Sequence, residues 1–232
     1  SISRLQEGQC PTIAMAAGDV PFVAFNAQLG RTGPGEIRLM VRRLNGVTWE
    51  TVREFQATNP TDRIQVGADN AARPIIVWSG LVSGDHRLNV ERFNGTGWDV
   101  RAGGFGSLGS GGVGDFRFTV RPDGEVVIAT FSGIGAGGQA VVAFRVNDNG
   151  AFALGDATTR VIDQTGGGND TLTVLDVAAD ATQIVLAYGK FIGSQFRQTR
   201  VVRFNDTANR WELAGSEADG GVVGARAQGQ EH

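Results

Sequence analysis

One short pattern is written four times along this chain: an apolar stretch ending on an aromatic, a variable segment, a second apolar stretch closing on Arg-x-Asn, and a brief turn into Trp or Phe. The copies read PFVAF…LMVRRLNGVTWETV, PIIVW…LNVERFNGTGWDV, VVIATF…VVAFRVNDNGAFALG and IVLAY…TRVVRFNDTANRWELAG. The motif arginines are Arg43, Arg92, Arg145 and Arg203, each followed two places on by an asparagine: Asn45, Asn94, Asn147 and Asn205. Phe25, Trp78, Phe131 and Tyr188 end the earlier stretch, and Trp49, Trp98, Phe152 and Trp211 follow the turn. Self-similarity at a period of roughly 50 residues signals supersecondary units that bury their apolar faces only against their neighbours. It constrains the architecture far more than the activity.

A third element stands upstream in every copy. Thr12–Ala16, Asp62–Val66, Asp115–Val120 and Leu172–Val177 alternate in part between apolar and polar residues, as strands with two unlike faces do. Gly18-Asp19, Asp69-Asn70, Asp123-Gly124 and Asp180 follow them, residues that tolerate positive φ or bond their own backbone in hairpin turns. Three hairpin-linked strands and the one opened by Trp or Phe make the four-stranded blade of a β-propeller. The expected fold is therefore all-β, a β-propeller of four-stranded antiparallel blades with four repeats in this chain, at about 10–53, 62–103, 115–156 and 171–215. These lie in a single domain over 1–216, closed as four or five blades or forming part of a larger ring, with 217–232 expected as a flexible tail. Ser1–Leu5 reads either as a strand that pairs with the last blade and removes an exposed edge, or as the end of an earlier blade.

Composition agrees with many tight turns: 35 glycines stand against six prolines, and the 41% hydrophobic content comes in short runs. No run approaches the roughly 18 apolar residues of a membrane span, and the N-terminus lacks a signal-peptide layout. A net charge of −3, with the motif arginines spaced one per repeat rather than clustered and Lys190 as the single lysine, speaks against nucleic acid and against a lysine-rich membrane patch. Cys10 is alone, so neither an intrachain disulfide nor a thiolate metal cluster is available.

The repeated aromatics have packing as their first explanation: large flat rings wedged between adjacent blades. The rival reading, a sugar platform, needs only one or two of them. The asparagines likewise supply turn residues, and this explanation suffices for Asn94-Gly95-Thr96, Asn169-Asp170-Thr171 and Asn205-Asp206-Thr207, which also match the glycosylation triplet. At this turn, with Asp206 five before Trp211 and Gly46 and Gly95 three before Trp49 and Trp98, the chain resembles the Asp-box of sialidase-type propellers. It also resembles bacterial propeller repeats of the form V-x-R-x-N-G-x-x-W, including those of sugar-binding lectins. The resemblance implies a propeller in which the box is structural. Trp98-Asp99 is a lone WD dipeptide, the paired-glycine order of kelch is not found, and Asp156, Asp163, Asn169 and Asp170 do not make the regular series of a calcium loop.

Catalytic patterns are sparse. His86, in Ser83-Gly-Asp-His86, reads as a surface-loop histidine rather than a triad member, and His232 is terminal. Gly103-Gly-Phe-Gly106 and Gly111-Gly-Val-Gly114 have no helix or Gly-Lys-Ser/Thr behind them, so they read as crossings between blades rather than phosphate cradles. The sequence thus points to a non-enzymatic binding or scaffold propeller, secreted or at a bacterial cell surface, that recognises a glycan or a protein partner through several similar shallow sites. No cofactor, metal, catalytic residue or ligand-binding residue is assigned, and an oligomer or larger assembly stays open. The alternatives are a purely structural segment of a larger assembly and a glycoside hydrolase-like propeller, for which Asp115 and Asp176 on first-strand candidates are the carboxylates to follow.

Overall fold

A computed structural model describes residues 11–29, 36–57, 62–82, 85–106, 113–134, 138–155, 161–165, 171–192, 196–214 and 222–223. These residues form strands and turns only, gathered into four antiparallel sheets. Among them no helix is long and apolar enough to cross a membrane. The chain divides into two compact units, the first comprising 1–105 with 122–125 and 146–150, the second 106–121, 126–145 and 151–232. The segments Ser1–Leu5 and 217–232, apart from Val222–Val223, lie outside the described residues, as does Cys10.

The first unit holds two sheets. Strands β1 (Thr12–Ala16), β2 (Val20–Leu29), β3 (Glu36–Asn45) and β4 (Thr48–Gln56) pair in chain order, and β5 (Ile64–Ala68), β6 (Pro74–Val82), β7 (Asp85–Phe93) and β8 (Trp98–Phe105) repeat the arrangement. Alternation along β2 and β3 sends Phe22, Ala24, Leu39 and Val41 to one face, where they meet Ile64, Val66 and Ile76 of the second sheet. Each of the larger of these side chains contributes about 1.5–3 kcal/mol when fully buried, so this seam holds the two sheets together. The first strands lie side by side, with the Val66 amide donating to Thr12 Oγ1 at 2.8 Å. The β3–β4 hairpin turns on Gly46-Val47, and Gly46 takes φ +62°, where a Cβ would be strained.

In the second unit β9 (Val113–Val120), β10 (Val126–Ile134), β11 (Gly138–Asn147) and β12 (Gly150–Ala153) form the third sheet, and β13 (Val161–Gln164) returns to pair with β11. The fourth sheet consists of β14 (Thr171–Ala179), β15 (Ile184–Ile192), β16 (Phe196–Asn205) and β17 (Arg210–Leu213), and β18 (Val222–Val223) also pairs with β16. The outer strand, continuous in the first two copies, therefore comes in two pieces in the last two. In the third copy the Leu154 amide still donates to the Ala143 carbonyl, and pairing with β11 is found again at Val161, opposite Val142. Val127, Ala129, Val141 and Ala143 of the third sheet pack on Val174, Leu186, Tyr188, Val202 and Phe204 of the fourth.

Two of the turn aromatics bond across their sheets as well as packing. Trp98 tilts against Phe93 with centroids 5.2 Å apart and donates its indole N–H across the sheets to the Val52 carbonyl at 3.1 Å. Trp211 repeats this on Phe204, donating to the Leu154 carbonyl. Phe152 has no such donor, and it is 48% exposed, so the wedge expected there is not made.

Candidate functional site

The polar chemistry of the first unit gathers where β6 ends, β7 begins and the chain enters β5. Asp62 stands just ahead of β5 and is 1% exposed. Its carbonyl accepts from Asn26 Nδ2 at 2.6 Å. The next residue, Arg63, exchanges two bonds with Ser79, its amide donating to Oγ and its carbonyl accepting from the Ser79 amide, both at 2.9 Å. With its backbone held on both sides, Asp62 directs its carboxylate at His86, whose Nδ1 lies 2.8 Å from Oδ1. Here the sequence expectation is corrected. His86 is no surface-loop residue but lies on β7 with a side chain only 22% exposed, because its ring is drawn in by the buried carboxylate.

A carboxylate on one ring nitrogen sets an imidazole's tautomer and plane, the arrangement that proton-transfer histidines share. Beside the pair, Asn26 Oδ1 is buried without a hydrogen-bond partner among the described residues, a demand that a water or a ligand hydroxyl would meet. Further along β7, Asn89 accepts from the Gly104 amide at 3.1 Å and Glu91 accepts from Arg53 at 2.9 Å. Arg53 in turn lies 4.6 Å over the Phe55 ring. Of these contacts the Arg53–Glu91 pair joins the two sheets, and all of them serve packing.

The second unit has its own cluster, centred on Asp163 of β13. Its carboxylate accepts from the Tyr188 hydroxyl at 3.1 Å, from Lys190 Nζ at 2.8 Å and from Arg200 Nη1 at 3.1 Å. Tyr188 is 1% exposed, and burial, followed by the Asp163 charge, pushes its phenol up to about 12. The hydroxyl therefore stays a neutral donor across the physiological range.

Asp115 and Asp176 are each engaged locally. Asp115 binds Arg117 Nη1 through both oxygens at 3.1 Å, and Asp176 caps the Val177 amide at a bulge in β14. Asp156, Asn169 and Asp170 lie outside the described residues, and among those described no group of three or more His, Cys, Asp or Glu stands together to hold a metal. Both polar clusters were missed from sequence because their members are far apart in the chain. The available signals were weak ones: the lone lysine, the lone tyrosine and the one internal histidine.

No family model and no curated protein matches this chain. Solved structures do. It aligns with the Hadza microbial sialidase Hz136 at 13% identity and TM-score 0.55, covering 88% of this chain and 45% of that one. It aligns with an ulvan lyase from a new polysaccharide lyase family at 12% identity and TM-score 0.60, covering 89% and 55%. With the α-L-arabinanase of Penicillium chrysogenum the values are 13%, 0.50, 85% and 62%. The chain thus spans between 45% and 62% of the length of these structures. At such identity the likeness shows the fold, a β-propeller of four-stranded antiparallel blades. It also overturns the expectation of a non-enzymatic chain, since the propellers it resembles include a sialidase, an arabinanase and a lyase.

Proposed function

We propose that this chain belongs to a glycan-cleaving enzyme, a glycoside hydrolase built on a β-propeller, and that Asp62 and His86 perform its proton transfer. The observation that carries this reading is the buried carboxylate oriented on a half-buried imidazole, within a fold that a sialidase and an arabinanase share. In hydrolysis a proton passes to the glycosidic oxygen as the bond to the anomeric carbon breaks, and water supplies the new hydroxyl. His86, oriented by Asp62, is placed for the first step, and the buried Asn26 carbonyl, without a partner among the described residues, suits an ordered water behind the pair. Action on polymeric glycans would place the protein outside the cell, in keeping with a secreted or cell-surface location.

A second reading, elimination by a lyase, is favoured by the imidazole itself, which in its neutral form can take a proton from the carbon beside a uronate carboxylate. One experiment decides between them. Incubated with a panel of arabinans, sialylated glycans and uronate-containing polysaccharides, the protein should release new reducing ends. Hydrolysis yields them without ultraviolet absorbance, whereas elimination adds the absorbance of an unsaturated uronide. His86→Ala and Asp62→Asn should each lower the rate by roughly 100-fold or more. Release that is undiminished in both variants would overturn the assignment, and silence across the panel would overturn the function.

A further inference from the structure

The hairpin end of the first unit holds a feature that glycan cleavage does not use. Between its two sheets opens a cleft of about 390 Å³, within the range of small-molecule sites. Val20, Phe22 and Phe93 line its apolar part, Arg43 and Arg73 stand beside them, and no carboxylate is among the lining residues. The same turn borders it twice, as Asn45-Gly46 from the first copy and Asn94-Gly95 from the second.

The two asparagines are not equivalent. Asn94 spends its carbonyl on the Thr96 and Gly97 amides, and Asn147 and Asn205 bond their own turns in the same way. Asn45 closes a shorter turn, in which Gly46 supplies the positive φ, and its amide makes no hydrogen bond among the described residues. Arg43 is held along the Phe93 ring at 6.0 Å by Glu50, which accepts its Nε at 2.8 Å and also its Nη2, while Nη1 has no bond among the described residues. The border is firmly built. Asp69 accepts the Ala71 and Arg73 amides at 3.0 and 2.8 Å and Arg73 Nε at 2.8 Å, and the Ala17 amide donates across the sheets to the Ala72 carbonyl at 3.0 Å.

We propose that this cleft is a second binding site, one that takes an acidic pyranose. Guanidinium groups recognise its carboxylate, the Asn45 amide bonds ring hydroxyls, and the aromatic floor receives the apolar face of the sugar. The site binds and does not cleave.

The test is a titration of isotope-labelled protein, followed by backbone amide shifts, with methyl glucuronide, methyl glucoside and acetate as parallel probes. Methyl glucuronide should shift Asn45, Gly46 and Gly95 saturably. The glucoside, lacking the charge-assisted bond, should bind about tenfold more weakly. Arg43→Gln should weaken glucuronide binding about tenfold, and Asn45→Ala, at an exposed position that leaves the fold intact, several-fold. Unmoved amides, an equal response to acetate, or undiminished binding in Asn45→Ala would each overturn the proposal. The readout is independent of turnover. Cleavage with a silent cleft refutes this site alone, and binding without cleavage refutes the enzymatic reading alone.

Discussion

Tyr188 is the chain's only tyrosine, so a single spectroscopic titration reads its phenol directly. Buried at 1% exposure and donating to Asp163, it should keep its proton in the native protein to about pH 12, against 10.0 for an unperturbed phenol. Below pH 10 both native and unfolded chains hold that proton, and stability does not change on its account. Between 10 and 12 the unfolded chain loses it while the native one keeps it, so stability falls as the pH rises through this window. Two pH units at about 1.4 kcal/mol each make a loss of about 3 kcal/mol once the native phenol has titrated. Phenolate absorbance followed from pH 8 to 13 gives the midpoint, and urea melts at several pH values give the loss. Asp163→Asn removes the second cause while leaving burial, the larger one, so the midpoint should fall yet stay above 10. A native midpoint at 10, or melts that do not weaken through the window, would refute the reasoning.

Three further outcomes test the packing. Gly80→Ala should cost about 1–3 kcal/mol in thermal denaturation, because a Cβ there would stand 2.4 Å from the Trp78 ring and displace it from its stack on Phe55. Arg53→Met should cost about 3 kcal/mol or more by leaving Glu91 buried at 3% exposure without its cation, and a double variant with Glu91→Met should recover most of that loss. Asp180, bonded by the Thr182 amide and hydroxyl and the Gln183 amide, is held down to about 2. Its contribution is present above the ordinary carboxylate value of 3.8 and fades as pH falls through 2, so acid denaturation in Asp180→Ala should be shallower over that interval.

The repeat made the sheets legible because most columns do the same mechanical job from copy to copy. Thr12–Ala16 is a strand with the bounds its alternation gave, and the Asn-Gly turns sit between third and fourth strands as their chemistry requires. The divided outer strands were not legible, since no residue pattern distinguishes a ladder that pauses between Leu154 and Val161 from one that ends. The polar clusters escaped for another reason. Asp62 and His86 meet only through the pairing of β5, β6 and β7, and Asp163 meets Arg200 only where the third sheet packs on the fourth, neither of which any local run sets.

What sets the chemistry apart is that it falls where the columns break. Phe25, Trp78 and Phe131 share a position at which the fourth copy has Tyr188, and two residues on, Ala27, Gly80 and Gly133 correspond to Lys190. Six residues before each motif arginine stand Ile37, His86, Gln139 and Arg197. A position that departs from its column for polar contacts rather than for packing should take back the consensus residue without losing the fold. Tyr188→Phe restores the column and keeps the ring in its apolar seat, so the fold should survive with only the loss of one hydrogen bond to a charged partner, about 1.5–3 kcal/mol. Lys190→Ala, at a partly buried ion pair, should be equally tolerated. If either variant fails to fold, the departure from the repeat is structural, and the separation of mechanical columns from chemical exceptions does not hold for this propeller.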